Sequence, residues 1–377
     1  MADNSNPLRK TTPSQKATLS SLPASWRLTD QQVREIFTTA ILPLEITPFI
    51  PPSSNSTTAT PTAIILLGQT GSGKTRLAPL LSSALSSQST TQSVCHLIAD
   101  TYKIHHPFYS PCLSQHPHLA SALASPSARI WLSMACQSTS EAQIPVLVES
   151  ACRHPSDFSE IVEIFSEAGY RVKVVILAVP TALSRLGVLV RYHDRLPESM
   201  SRGLPLRLTP RGVHDESYAG CVQGAEWVDE HPREVSEVVV VRRDRRVGYR
   251  NRSQDGKWKE EPRAREGLEG QRGRGLTQEE RELAEQDLKV LEGLVTEGRV
   301  EQATVGELRG LLRELYGNGE SNGEEELKQL DIDAFVKGGG AGKQEQPKPK
   351  STKEILDELE FDDDDDINFY NTCSCCR

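Results

Sequence analysis

Eight consecutive residues in this 377-residue chain have types and spacing that prescribe a chemistry. Gly68, Gln69, Thr70, Gly71, Ser72, Gly73, Lys74 and Thr75 fit G-x-x-x-x-G-K-[ST], with the apolar run AIILL before them and RLAPLL after. Glycines so placed let backbone N–H groups converge on phosphate oxygens at the positively polarised start of a helix. Lys74 would neutralise β- and γ-phosphate charge, and the Thr75 hydroxyl would bind Mg²⁺. The pattern predicts a site for ATP and Mg²⁺. Alone it does not separate a motor, a switch and a phosphotransferase, which share this loop.

Other residues narrow the chemistry. Asp100 ends the apolar run 94–99, and ligands of open α/β sheets sit at the carboxyl ends of strands. A carboxylate there can orient a bound hydroxyl and accept its proton, although a helix cap would look the same in sequence. Glu149 follows the run 146–148 and suits either a Mg²⁺-linked carboxylate or a hydroxyl acceptor. Arg191 and Arg207 can stabilise charge on transferring oxygens. They lie among Arg185, Arg195, Arg202 and Arg211, so a solvated basic face is the alternative reading.

Read together, these segments resemble the zeta toxin family of P-loop kinases. Asp100, Tyr102, Lys103, His106 and Pro107 fill its D-x-[FY]-[KR]-x-x-H-P pattern. VLVESACR resembles its E-G-T-x-R stretch through Glu149 and Arg153, and residues 178–192 resemble its A-V-P helix ending in R-Y. LRLTPRGVHD is similar to R-x-T-P-x-x-x-H-D through Arg207, Thr209, Pro210, His214 and Asp215. The blocks keep family order up to about Arg252.

The resemblance implies transfer of the γ-phosphate of ATP to a hydroxyl of a small molecule; bacterial members use the 3′-hydroxyl of UDP-N-acetylglucosamine. It implies Asp100, Lys74, Arg191 and Arg207 as catalytic, Tyr102, Lys103, Glu149 and Arg153 as substrate contacts, and Thr75 on Mg²⁺. Ala151 stands where the family has Thr, and Ile98 where an acid is common, so the kinase chemistry is implied more firmly than the sugar-nucleotide acceptor. The sequence identifies no antitoxin-like partner.

The elements that must position these residues are visible as short apolar runs at 63–67, 94–99, 146–148, 172–179 and 238–241. With helix-length amphipathic segments near 129–142, 157–168, 181–193 and 213–228, they predict an α/β fold: a parallel doubly wound sheet flanked by helices. A first helix is expected from Thr29 or Asp30 until Pro43 stops it, and further helices over 277–294, opened by a Thr277/Glu280 capping box, and 305–316. The expected organisation is a disordered tail over 1–27, a kinase domain over 28–252, a flexible insert plus helical extension over 253–316, and a disordered acidic tail over 317–377 ending in Cys373, Cys375 and Cys376.

No run approaches the roughly 20 apolar residues of a membrane span, and the N-terminus lacks a secretory apolar stretch, so a cytosolic setting is expected. Cys95, Cys112, Cys136, Cys152 and Cys221 lack metal spacing and read as buried thiols. The net charge of -9 argues against a broad nucleic-acid surface, but the run RRDRRVGYRNR at 242–252 leaves a polynucleotide or nucleoside kinase open. A non-catalytic ATP-binding interaction protein is the third reading.

Overall fold

A computed structural model describes residues 18–50, 60–88, 94–201, 208–317 and 327–338. The five apolar runs become parallel strands: β1 (Thr62–Leu67), β2 (Cys95–Ile98), β3 (Val146–Ser150), β4 (Arg171–Leu177) and β5 (Glu237–Val241). Two antiparallel strands follow, β6 (Val247–Gln254) and β7 (Lys257–Trp258), and the sheet order is β2-β3-β1-β4-β5-β6-β7. Every residue of β1 and β5 is buried, as expected for strands covered on both faces. The chain leaves β1 for β2 on one side and later returns past β1 to β4 on the other. The carboxyl end of β1 is therefore the switch point, where a crevice opens.

The helices are α1 (Asp30–Ile36), α2 (Lys74–Gln88), α3 (Ala99–Tyr102), α4 (Tyr109–Gln115), α5 (Ala120–Glu141) and α6 (Pro155–Glu167). They continue with α7 (Thr181–Ser201), α8 (Arg211–Glu230), α9 (Ala264–Gly273), α10 (Gln278–Thr296), α11 (Gln302–Gly317) and α12 (Ile332–Lys337). α1 opens with the Thr29 cap and does not stop at Pro43. It continues as a π-helix over Phe37–Ile46, whose wider turn carries the chain past a residue without an N–H. Trp131 of α5 donates its indole N–H to Val33 O at 2.9 Å and pins α1 to the main core.

Three stretches that composition assigns to tails and a linker are built into the fold, the last of them residues 327–338 of the tail expected over 317–377. Within 18–27, Leu19–Ser21 and Ala24–Trp26 form 3₁₀ turns; Leu22 packs with Cys112, Leu119 and Leu123, and Trp26 stacks on Phe108 at 5.5 Å. Residues 253–275, read above as flexible, complete the β6–β7 hairpin and then form α9. Charged residues of this stretch are paired, Arg265 with Glu226 at 2.5 Å and Arg274 with Glu280 at 2.6 Å, and Asp229 of α8 accepts from Ala264 N at 2.7 Å and Arg265 N at 3.0 Å, capping α9. The predicted capping box of α10 is present, and α10 with α11 packs on α7 through Leu276, Leu288, Leu291, Leu308 and Leu312. Of the tails expected over 1–27 and 317–377, residues 1–17, 318–326 and 339–377, with the terminal cysteines and the acidic run, lie outside the described residues.

A last short element reaches the back of the phosphate-loop helix. Leu330, Phe335 and Val336 pack with Leu77, Leu81 and Leu85 of α2 and with Val175 and Val239 of the sheet. The buried Lys173 ammonium donates to Phe335 O, to Gly338 O at 2.7 Å and to Glu237 at 3.2 Å, which caps α12 and satisfies a charge that burial pulls down to a pKa of about 8. Truncating a fully buried Phe removes its transfer energy and leaves a cavity. Phe335→Ala should cost about 3–5 kcal/mol in denaturant unfolding; an unchanged midpoint would show that 327–338 contributes nothing to the core.

Candidate active site

The loop between β1 and α2 takes the shape its glycines permit. Gly71 has φ 79°, and a Cβ there would collide with the Ser184 carbonyl, so only Gly fits. The Ser72 hydroxyl is fully buried and has no hydrogen-bond partner among the described residues. A glycine-lined concavity with an unsatisfied buried hydroxyl, at the N-terminus of a 15-residue helix, fits a phosphate chain. Thr75 stands exposed in the first turn of that helix, free to reach a cation beside such phosphates. Among the described residues no three His, Cys, Asp or Glu side chains gather as a metal cage.

Lys74 lies over the loop, donating to Gly68 O and, at 3.4 Å, to Gln69 O. Burial lowers its pKa first of all; Cys221, Glu149 and Asp100 act against that, and Arg191 acts with it. Lys74, Glu149, Asp100 and Arg191 thus share one electrostatic neighbourhood. They come from α2, β3, α3 and α7, so the structure brings together residues far apart in sequence.

Asp100 sits in the first turn of α3, exposed, with Lys103 Nζ at 2.7 Å from its carboxylate. Lys103 also donates to Ser121 at 2.7 Å, so α5 fixes the cation that fixes the carboxylate. Glu149, at the carboxyl end of β3, accepts from or is paired with His96 at 3.0 Å. Beyond it the chain turns through Cys152 at φ 50°, and this turn meets α8 where a Cβ on Gly220 would collide with the Cys152 carbonyl. The close approach lets Arg153 pair with Glu216 of α8. Arg191 is exposed on α7. Arg207 lies outside the described residues, as does Arg202.

Two motif residues are placed as structure. Tyr102, expected at the substrate, is 1% exposed and packs in the main core, where burial raises its phenol pKa. A four-residue helix that turns Asp100 outward turns the residue two places on inward. His106 is also buried; its Nδ1 accepts from Phe108 N at 3.3 Å, and burial lowers its pKa to about 4. His214 and Asp215 form a relay: Ser184 Oγ lies 2.8 Å from His214 Nε2, His214 Nδ1 lies 2.9 Å from Asp215, and Arg185 grips that carboxylate with two 2.7 Å bonds. Ser184 is fully buried inside α7, so this relay braces α7 against α8 and offers no nucleophile.

Sequence reading missed the arginines behind the loop. Arg243, just after β5, donates to Gly71 O at 2.8 Å, and Arg272 of α9 donates to Gln69 Oε1 at 2.9 Å. A strand-end position could have flagged Arg243. Arg272 gave only the spacing Ala264, Leu268, Arg272 along one buried helix face. Four arginines of the basic run have partners: Arg242 donates to Gln271 at 2.6 Å, Arg246 pairs with Asp244 at 3.4 Å, and Arg250 and Arg252 both bind the buried Glu237, at 2.7 and 2.9 Å. No helix among the described residues is long and apolar enough to cross a membrane.

Comparison with known proteins gives the family and the fold. The sequence model of the zeta toxin family, described as Zeta toxin, matches residues 52–254, more than half of the chain. A structure from the PezAT chromosomal toxin–antitoxin system of the human pathogen Streptococcus pneumoniae superposes with a TM-score of 0.54 at 17% identity, covering 72% of this chain and 98% of that one. At that identity the likeness shows the fold. Structures of the AvrRxo1-ORF1:-ORF2 complex, native and with ATP, align at 15% and 12% identity with TM-scores of 0.38 and 0.37, covering 69% and 81% of this chain and 77% and 86% of theirs. Those scores are too low to inform the reading of this chain. No curated protein matches its sequence.

The buried His106 makes a pH prediction. Its folded pKa of about 4 lies below the ordinary 6.5, so the unfolded chain binds a proton that the folded chain refuses. Its stabilisation is full above pH 6.5 and is lost as pH falls through 4. Thermal unfolding of the wild type between pH 7 and pH 4 should therefore show a steeper loss of Tm than His106→Asn; parallel curves would mean that His106 does not titrate with unfolding.

Proposed function

Because this chain belongs to the zeta toxin family, we propose that it transfers the γ-phosphate of ATP to a hydroxyl of a small molecule. The observation that carries the reading is the phosphate loop itself, with a buried Ser72 hydroxyl that has no partner among the described residues and with Lys74, whose ammonium feels the charges of the exposed Asp100 and of Arg191. Phosphoryl transfer asks for positioning, charge neutralisation and a proton acceptor, and these residues supply all three.

In this reading Lys74 and the loop N–H groups hold the β- and γ-phosphates, and the Thr75 hydroxyl is a ligand for Mg²⁺. The ion would add charge neutralisation between phosphate oxygens. Asp100 accepts the proton of the acceptor hydroxyl, held in place by Lys103. Arg191 stabilises charge on the transferring oxygens, and Arg207 joins it by family resemblance alone. Arg153, fixed by Glu216, and Glu149 line the acceptor side. Five buried free thiols, Cys95, Cys112, Cys136, Cys152 and Cys221, suit a reducing, cytosolic setting. The ion pairs of Arg246, Arg250 and Arg252 neutralise part of the 242–252 run, which supports a small acceptor over a polynucleotide, and a nucleotide sugar is the acceptor that the family suggests.

Asp100→Asn keeps size and most hydrogen bonding but cannot take a proton. Calorimetry should find near-normal MgATP affinity, while single-turnover transfer falls roughly 10² to 10⁴-fold, the scale of general base catalysis. An unchanged transfer rate would remove Asp100 as the base; parallel loss of affinity and rate would make it a ground-state contact. For the acceptor, the missing hydroxyl at Ala151 predicts weak use of UDP-N-acetylglucosamine, improved by Ala151→Thr. Strong wild-type turnover of that sugar nucleotide, indifferent to the change, would contradict this.

A further inference from the structure

The geometry points to Arg272, which lies beyond the 52–254 stretch matched by the family, as a positioning residue for nucleotide binding that acts through Gln69. The inference rests on the nucleotide-site reading of the phosphate loop proposed above.

Gln69 is fully buried, and its amide joins three elements. Its Nε2 donates to Val179 O at 2.8 Å and to Ser184 Oγ at 3.3 Å, tying the loop to the β4–α7 junction. Its Oε1 takes the Arg272 guanidinium, and since Arg has only donors this fixes which way the amide points. With both ends of the amide engaged, the second residue of the loop cannot rotate without breaking a charged hydrogen bond.

Arg272 is itself fixed. Its other terminal nitrogen donates to Tyr218 O at 2.8 Å, and the guanidinium lies over the Tyr218 ring at 3.8 Å. The Asp229 cap sets the register of α9, and Ala264, Leu268 and Arg272 follow at four-residue intervals on its buried face. At 4% exposure Arg272 makes no ion pair among the described residues, and its Nε has no hydrogen-bond partner. A buried cation without a carboxylate is costly to fold. Its field acts on Cys221, which in turn neighbours Lys74. Such a charge behind a loop built for phosphates lowers the cost of bringing anions to it. The extension after residue 254 is thereby part of the nucleotide site and not an appendage.

The test is a double-mutant cycle on the full chain, read as MgATP Kd by calorimetry. Arg272→Met and Gln69→Leu should each weaken binding about 10 to 100-fold, the scale of a charged hydrogen bond. If Arg272 acts through Gln69, the double variant should be no more than about twofold worse than the weaker single variant. Arg272→Lys, which keeps the charge and loses the fork, should fall between wild type and Arg272→Met; it also replaces Arg272→Met in the cycle if that variant does not fold by circular dichroism. Arg265→Met, on the exposed face of α9, should bind as wild type. Independent losses that multiply in the double variant, or wild-type affinity in folded Arg272→Met, would overturn the inference. Failure of the wild type to bind MgATP would instead overturn the nucleotide-site reading.

Discussion

A loop that offers backbone N–H groups to a ligand cannot use those groups to hold itself, and the rest of this structure depends on that constraint. Three of the phosphate loop's N–H groups are already taken, Gly68 N by Ser150 O at 3.1 Å, Thr70 N by Ser217 Oγ at 3.4 Å and Ser72 N by Gln69 O at 3.1 Å; the rest of the hold comes through its carbonyls and one buried side chain. Gly71 O is taken by Arg243, Gly68 O by Lys74, and the Gln69 amide bridges Val179, Ser184 and Arg272. Beneath it, α2 packs by Leu77 and Leu81 on the sheet, and α12 closes the far side. Strands buried on both faces give the rigid floor that such a loop needs.

Burying cations beside that loop has an electrostatic cost: burial lowers the pKa of Lys74 and of Arg243, and Arg191 and Arg76 add to the shift. Carboxylates offset it from a distance: Glu280 and Asp287 of α10 act on Arg243, and Glu149 and Asp100 act on Lys74. The α10–α11 hairpin thus contributes charge as well as apolar packing. Through Arg185 and Glu307, at 2.9 Å, it also holds the helix that carries Arg191. Ground-state repulsion among the cations is the kind of stored cost that a bound polyanion relieves.

The floor was legible because its signal is local. Apolar runs such as 238–241 announce strands by composition, and glycines at Gly68, Gly71 and Gly73 announce a loop by steric need. The extension was not, because Arg272 and Asp229 look like solvent-seeking residues until the fold supplies Gln69 and the α9 N-terminus as partners. Tyr102 shows the opposite error: a pattern position suggested a contact, and the turn of α3 buried it. Pro43 was read as a stop because an ordinary α-turn was assumed, and the π-helix removed the clash. Tertiary partners decide such residues, and a single sequence does not display them.

The central claim is that the crevice moves a phosphoryl group rather than only holding a nucleotide. Phosphorus NMR of the full-length protein with MgATP and a small-molecule cell extract tests it most directly, since ester phosphate, inorganic phosphate and ADP resolve in one spectrum. A new phosphomonoester signal growing in step with ADP is the predicted result. ATP that stays intact, or that yields only inorganic phosphate, would contradict the account.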